Sequence, residues 1–101
     1  MNRRSSPGCC AAKLRVLSDP TRLAVVELLM AGPKHVGELN ERIRAEQSLL
    51  SHHLRVLRRA GLVEAARDGK SVVYRLSATA GAGRVKRGIN LGCCVIAFDQ
   101  V

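Results

Sequence analysis

The sequence predicts a mainly α fold with a β-hairpin wing, an α+β chain of winged helix-turn-helix design, on three observations. Two amphipathic stretches, Val36 to Ile43 and Gln47 to Ala60, are separated by a turn of a few residues, which is helix-turn-helix spacing. Two alternating stretches follow at once, Leu62 to Arg67 and Ser71 to Leu76, joined by the hairpin signal Asp68-Gly69-Lys70. The length of 101 residues suits one compact domain. With one Phe, one Tyr and no Trp, the core must be built from Leu, Val, Ile and Ala. A monomer this small buries a limited core, so dimerisation is a natural way to add buried surface.

Each element has its own local signal. Cys9 to Leu17 reads as a short helix with Leu14 and Leu17 on one face. Ser18-Asp19-Pro20 is a helix start, a capping side chain followed by a proline whose missing N–H costs nothing in the first turn. The helix it opens runs to about Ala31, with Leu23, Val26, Leu29 and Met30 at helical spacing, and Gly32-Pro33 stops it. Val36, Leu39 and Ile43 form the apolar stripe of the next helix, and Gly61 ends the one after it. In the first strand Val63, Ala65 and Arg67 alternate with Leu62, Glu64 and Ala66; in the second Val72, Tyr74 and Leu76 alternate with Val73 and Arg75. Residues 78–92 carry Gly81, Gly83, Gly88 and Gly92, which weaken any helix there, and Leu91 to Phe98 reads as a final strand.

The net charge of +9 comes from 17 basic against 8 acidic residues, and 13 of the basic residues are Arg. A planar guanidinium fork matches phosphate and guanine edges, so a polyanion is the first partner to consider. The charge has a focus. Between Gln47 and Val63 there is no acidic residue; Leu50, His53, Leu54 and Leu57 share one helical face, and Ser48, Ser51, His52, Arg55 and Arg59 share the other. Such a face, with Gln47 at its start, can enter the major groove of double-stranded DNA and bond to base edges and phosphates. The plainer reading is an amphipathic helix with a solvated basic face; the flanking turn and wing favour DNA. His53 reads as a hydrogen-bonded core residue and His52 as an outward one. Arg67 and Lys70 at the hairpin tip suit phosphate or minor-groove contact, though each suits a solvated turn equally well.

In order and spacing, four stretches resemble the ArsR/SmtB family of metal-responsive repressors: Leu17-Ser18-Asp19-Pro20-Thr21-Arg22-Leu23, Val36-Gly37-Glu38-Leu39, Ser51-His52-His53-Leu54 through Val63, and Gly69-Lys70-Ser71-Val72-Val73-Tyr74-Arg75-Leu76. The resemblance covers roughly residues 12–77. It implies a homodimer that binds a palindromic operator when ligand-free and releases it when an effector binds, with the first and last helices forming the dimer interface. The chain then divides into a flexible basic arm (1–8), a winged helix-turn-helix DNA-binding domain (9–77) and a C-terminal dimerisation and effector segment (78–101).

The cysteines stand in two vicinal pairs, Cys9-Cys10 and Cys93-Cys94. Residues 1–8 have no apolar run behind Arg3 and Arg4, which argues against a secretory signal, and no stretch reaches membrane-spanning length. The expected location is therefore cytoplasmic, where thiols stay reduced and four of them point to metal or redox chemistry. Thiolates select soft acceptors. If the first and last helices pack across a two-fold axis, as the resemblance implies, the two pairs can meet. If Leu91 to Phe98 is a strand, Cys93 and Cys94 point to opposite faces, and one of them joins the N-terminal pair to give three sulfurs, which suits arsenite or antimonite. If that segment is a turn or helix, all four can converge, which suits a tetrahedral zinc, cadmium or lead site. A disulfide between the pairs is the redox version.

The sequence departs from two family patterns. Val36-Gly37-Glu38-Leu39-Asn40-Glu41 holds no cysteine, and residues 78–101 hold one acid, Asp99, and no histidine. Both departures weaken a simple zinc sensor, and paired C-terminal cysteines look more like the arsenite-responsive members. An enzyme is not expected: no nucleophile–base set, phosphate-binding glycine loop or pair of convergent carboxylates is present. A metal carrier without a DNA role would leave the basic helix and wing unexplained, and a single-strand coating protein would need aromatic stacking platforms.

Overall fold

A computed structural model describes residues 7–81 and 87–98. The elements run α1 (Pro7–Val16), α2 (Pro20–Met30), β1 (Lys34–His35), α3 (Val36–Ile43), α4 (Gln47–Arg59), β2 (Val63–Asp68), β3 (Ser71–Leu76), β4 (Gly88–Asn90) and β5 (Val95–Ala97). The expected arm (1–8) lies almost wholly outside the described residues.

The local signals act as chemistry says they should. Asp19 caps α2, its Oδ1 accepting from the backbone N–H of Thr21 at 2.8 Å and of Arg22 at 3.2 Å. Pro20 fills the first helical position, and α2 ends before Gly32, whose φ is +139°. The three-residue turn between α3 and α4 is made by Arg44 in the left-handed region at φ +60°, its N–H bonding to the Asn40 carbonyl. Gly61 takes φ +77° where α4 turns into β2. Gly69 takes φ +66° in the two-residue loop that pairs Asp68 with Ser71.

The wing is an antiparallel β2–β3 hairpin, and β1 adds to its other edge to give the order β1-β3-β2. Sequence reading missed β1. Lys34 and His35 have no periodicity of their own and become a strand only because they lie opposite Tyr74 and Val73. One core holds the molecule together: Val25, Val26 and Leu29 of α2, Leu39 of α3, Leu50, Leu54 and Leu57 of α4, then Leu62 and Val63, with Leu17, Ala80, Ile89 and Leu91 closing it. Each fully buried Leu or Val contributes about 1.5 to 3 kcal/mol of transfer free energy relative to exposure.

The C-terminal part departs from expectation. Leu91 to Phe98 is not one strand. Residues 88–97 form an antiparallel hairpin, β4 with β5, and the chain reverses between Leu91 and Cys94. Gly92 at φ +91°, the Gly92 N–H on Asn90 Oδ1 at 2.8 Å and the Leu91 N–H on the Cys94 carbonyl at 2.8 Å make the reversal. The last helix implied by the family resemblance is likewise absent from residues 88–98, and residues 82–86 lie outside the described part of the chain. Ile89 and Leu91, two apart on one face of the strand, are both buried in the core, and the register Gly88↔Ala97, Ile89↔Ile96 and Asn90↔Val95 holds the hairpin.

Candidate nucleic-acid interface and thiol site

The core fixes which face of α4 is free. Leu50, His53, Leu54 and Leu57 are buried, so Gln47, Ser48, Ser51, His52, Arg55 and Arg59 are all left exposed. Arg58 is exposed as well, and the side chains of Arg55, Arg58 and Arg59 line one polar recess at the C-terminal end of the helix. Sequence reading missed Arg58, although its place three residues after Arg55 sets the two one turn apart. Among the described residues no side chain caps the N-terminus of α4, so its first N–H groups stay available to an anion. At the other end of the motif Arg67 and Lys70 are exposed on the wing.

His53 is buried at 7% exposure, as expected of a core residue, but the expected hydrogen bond is not made. Its Nε2 lies 3.9 Å from Asp19 Oδ1, and its Nδ1 has no hydrogen-bond partner among the described residues. Asp19 sits below the ordinary carboxylate range. Partial burial pushes it up, but the N–H groups of Arg22 and Thr21 and the neighbouring His53 and Arg22 outweigh that.

A second polar contact ties the wing to the helix-turn-helix. His35, just before α3, places Nε2 2.9 Å from Asp68 Oδ2 at the wing tip and Nδ1 3.3 Å from Glu38 Oε1. Glu38 also accepts the His35 backbone N–H at 2.8 Å. The hydrogen bonds to Asp68 and then to Glu38 raise the imidazole above its ordinary value. The His35 backbone N–H and then its ring hold Glu38 below the usual range. Nothing in the local sequence announces this pair, since 33 residues separate its members.

The two cysteine pairs meet within one chain, with the disulfide between pairs that the redox alternative expects but not with either of the two metal-ligand sets. Cys10 of α1 and Cys93 of the β4–β5 turn form a disulfide, with Cα atoms 6.0 Å apart. Cys94 Sγ lies 3.5 Å from Cys10 Sγ. The sulfurs of Cys10, Cys93 and Cys94 all fall within 4.8 Å of one another, and all three residues are half-buried. Thus the tight Leu91–Cys94 turn brings together three sulfurs: both C-terminal cysteines and one N-terminal one. A strand was expected to yield three sulfurs by contributing one C-terminal cysteine, and a turn to yield four. The reason lies in α1. Adjacent residues on a helix point about 100° apart, so Cys10 faces the turn while Cys9 stays exposed.

Cys9, Ala12, Lys13 and Val16 of α1 face Val56, Arg59 and Ala60 of α4 across an apolar cleft of about 390 Å³. The helix that carries Cys10 therefore borders the same cleft as the end of the helix that carries the exposed arginines.

With this geometry in view, the comparisons with known proteins are specific. Residues 19–65 match the family described as bacterial regulatory protein, arsR family. The chain is 48% identical over 66 residues to the HTH-type transcriptional regulator NmtR of Mycobacterium tuberculosis, covering 65% of this chain but 55% of that protein, so it spans about half the length of this relative. It is 40% identical over 80 residues to the biofilm growth-associated repressor of Xylella fastidiosa, covering 79% of this chain and 70% of that one. The crystal structure of M. tuberculosis Rv0081 superposes with a TM-score of 0.68 at 40% identity, covering 73% of this chain and 77% of that one. These relatives are transcriptional regulators, not enzymes. The shared winged helix and this identity across most of a relative's length make the chain a member of the ArsR family of bacterial regulatory proteins.

Proposed function

We propose that the chain is a homodimeric transcriptional repressor of operator DNA, and that its release is controlled by arsenite or antimonite at Cys10, Cys93 and Cys94. In this reading Gln47, Ser48, Ser51, His52, Arg55 and Arg59 face the major groove, Arg58 adds a phosphate contact, and Arg67 and Lys70 lie along the backbone. The observation that carries the effector is the set of three sulfurs within 4.8 Å. Trivalent arsenic and antimony favour three thiolates, whereas zinc, cadmium and lead sites of the tetrahedral kind need a fourth ligand, and Cys9 does not converge with the other three. The sulfurs bind once Cys10 and Cys93 are reduced. Closing three ligands from α1 and from the β4–β5 turn on one atom tightens the seat of α1, whose Cys9, Ala12, Lys13 and Val16 border the same cleft as Val56, Arg59 and Ala60 of the recognition helix. Effector and operator affinity are then linked reciprocally. The name of the Xylella relative supports a repressor.

A second reading has its own observation. The Cys10–Cys93 disulfide makes a thiol redox switch that uses two of the same three sulfurs. The two readings exclude each other at any instant, since the oxidised pair has no thiolate to offer.

The test is release from promoter DNA. Reduced protein, bound to DNA from its own promoter, is titrated with arsenite and separately with an oxidant. We expect release by arsenite in the wild type and in Cys9→Ser, with release lost in Cys10→Ser, Cys93→Ser and Cys94→Ser. An oxidant response lost in Cys10→Ser and Cys93→Ser but kept in Cys94→Ser, with no arsenite response in any form, would replace the metalloid by the redox switch. Absence of promoter binding would remove the repressor itself.

A further inference from the structure

Lys13 stands one helical turn after Cys10, on the same side of α1. Its ammonium donates to the Leu91 carbonyl at 2.9 Å, and Leu91 is the first residue of the turn that carries Cys93 and Cys94. The turn is internally closed by the Leu91 N–H on the Cys94 carbonyl and by the Gly92 N–H on Asn90 Oδ1. Apart from the sulfur contacts, the Lys13 bond is the hydrogen bond that joins α1 to this turn among the described residues. Lys13 is half-buried, and it also lines the cleft between α1 and α4.

We propose that Lys13 is the positioning residue of the thiol site: its bond to Leu91 keeps Cys93 and Cys94 docked beside Cys10 after the disulfide has opened. The inference rests on the thiol reading above but does not depend on which effector is bound. Without such a strap, reduction would free α1 from the turn, and every later ligand or oxidant would have to bring together sulfurs that belong to residues 83 positions apart. With it, the three thiols stay near one another and the cost of assembling them is met in the fold.

The experiment is the thiol–disulfide equilibrium of the full chain with glutathione, read by alkylation and mass spectrometry. Two glutathione thiols reduce the Cys10–Cys93 bond: that S–S bond breaks, one S–S bond forms in glutathione disulfide, and Cys10 and Cys93 each take up a proton. In Lys13→Met we expect the equilibrium to shift about tenfold toward the reduced protein, the effect of losing one hydrogen bond from a charged donor. Lys13→Arg, which keeps a cationic donor, should stay within about threefold of wild type. An unchanged equilibrium in Lys13→Met overturns the inference. So does an equal loss in Lys13→Met and Lys13→Arg, because stem packing would then set the equilibrium. If Lys13→Met does not fold by circular dichroism, Lys13→Leu, which also lacks a donor, carries the same comparison, and a wild-type value there is equally fatal. Promoter DNA and arsenite play no part, so failure here is distinct from failure of the repressor reading.

Discussion

At the scale of single residues, the His35–Asp68 contact shows how an acidic wing tip can sit beside the basic residues proposed to meet DNA. Asp68 lies beside Arg67 and Lys70, where a bare carboxylate would repel phosphate. His35 at 2.9 Å offsets it when protonated, and Glu38 on the other ring nitrogen favours that charge state. The imidazole is raised, so whatever this contact adds to the fold is fully present below the unfolded value of about 6.5 and fades as pH rises through the higher folded value. Glu38 works in the opposite sense: it is lowered, so its share is present above its unfolded value and lost as pH falls through the folded one. Proton NMR titration of His35 should give a midpoint above 6.5, and Asp68→Asn should bring it back toward the ordinary value. A midpoint at or below the ordinary value in the wild type would mean that the contact is not kept in solution. Promoter binding measured from pH 6 to 8 should weaken with rising pH in the wild type and show a flatter profile in His35→Gln.

At the scale of elements, the recognition helix is held by its buried face. Leu54 and Leu57 are 1% and 0% exposed and pack into the cluster formed by α2, α3 and the start of β2. Truncating either leaves a cavity as well as lost transfer free energy, so Leu57→Ala should lower the unfolding free energy in urea by about 2 to 5 kcal/mol. A change below about 1 kcal/mol would show that α4 is not anchored by this face. The elements that sequence periodicity located are those whose signals are local. Asp19 and Pro20 start α2, the Val36, Leu39 and Ile43 stripe marks α3, and Gly69 marks the wing turn. Each acts on neighbours within a turn or two. β1 and the β4–β5 hairpin escaped because their formation depends on partners elsewhere. Lys34 and His35 need β3, and the glycines between 81 and 92 read equally as helix breakers and as turn makers.

At the scale of the whole molecule, the net charge of +9 is put to use by geometry. The core orients α4 so that Arg55, Arg58 and Arg59 are all exposed, and the β2–β3 hairpin carries Arg67 and Lys70 out on the same winged-helix scaffold. If these residues meet phosphates, promoter affinity should fall steeply with salt. Arg59→Ala should weaken promoter and unrelated duplex alike and reduce the salt slope by about one, as measured by fluorescence anisotropy over a salt series. An unchanged slope would place Arg59 away from the DNA.

Much of this protein is determined by its sequence alone. The helix-turn-helix, the wing and the exposed polar face of α4 follow from periodicity, caps and turns, which are interactions between residues close along the chain, and the family was legible as a resemblance in four sequence stretches. The sequence also singled out the two cysteine pairs as the candidates for the proposed sensing chemistry. Only the tertiary structure decided which sulfurs meet. Cys10, Cys93 and Cys94 converge while Cys9 stays outside, because the β4–β5 hairpin reverses the chain at Leu91–Cys94 and its turn meets one face of α1. The same holds for Lys13 on Leu91 and His35 on Asp68, contacts spanning 78 and 33 residues. The chain closes loops of that length only when packing makes them worthwhile, and no local pattern records the result.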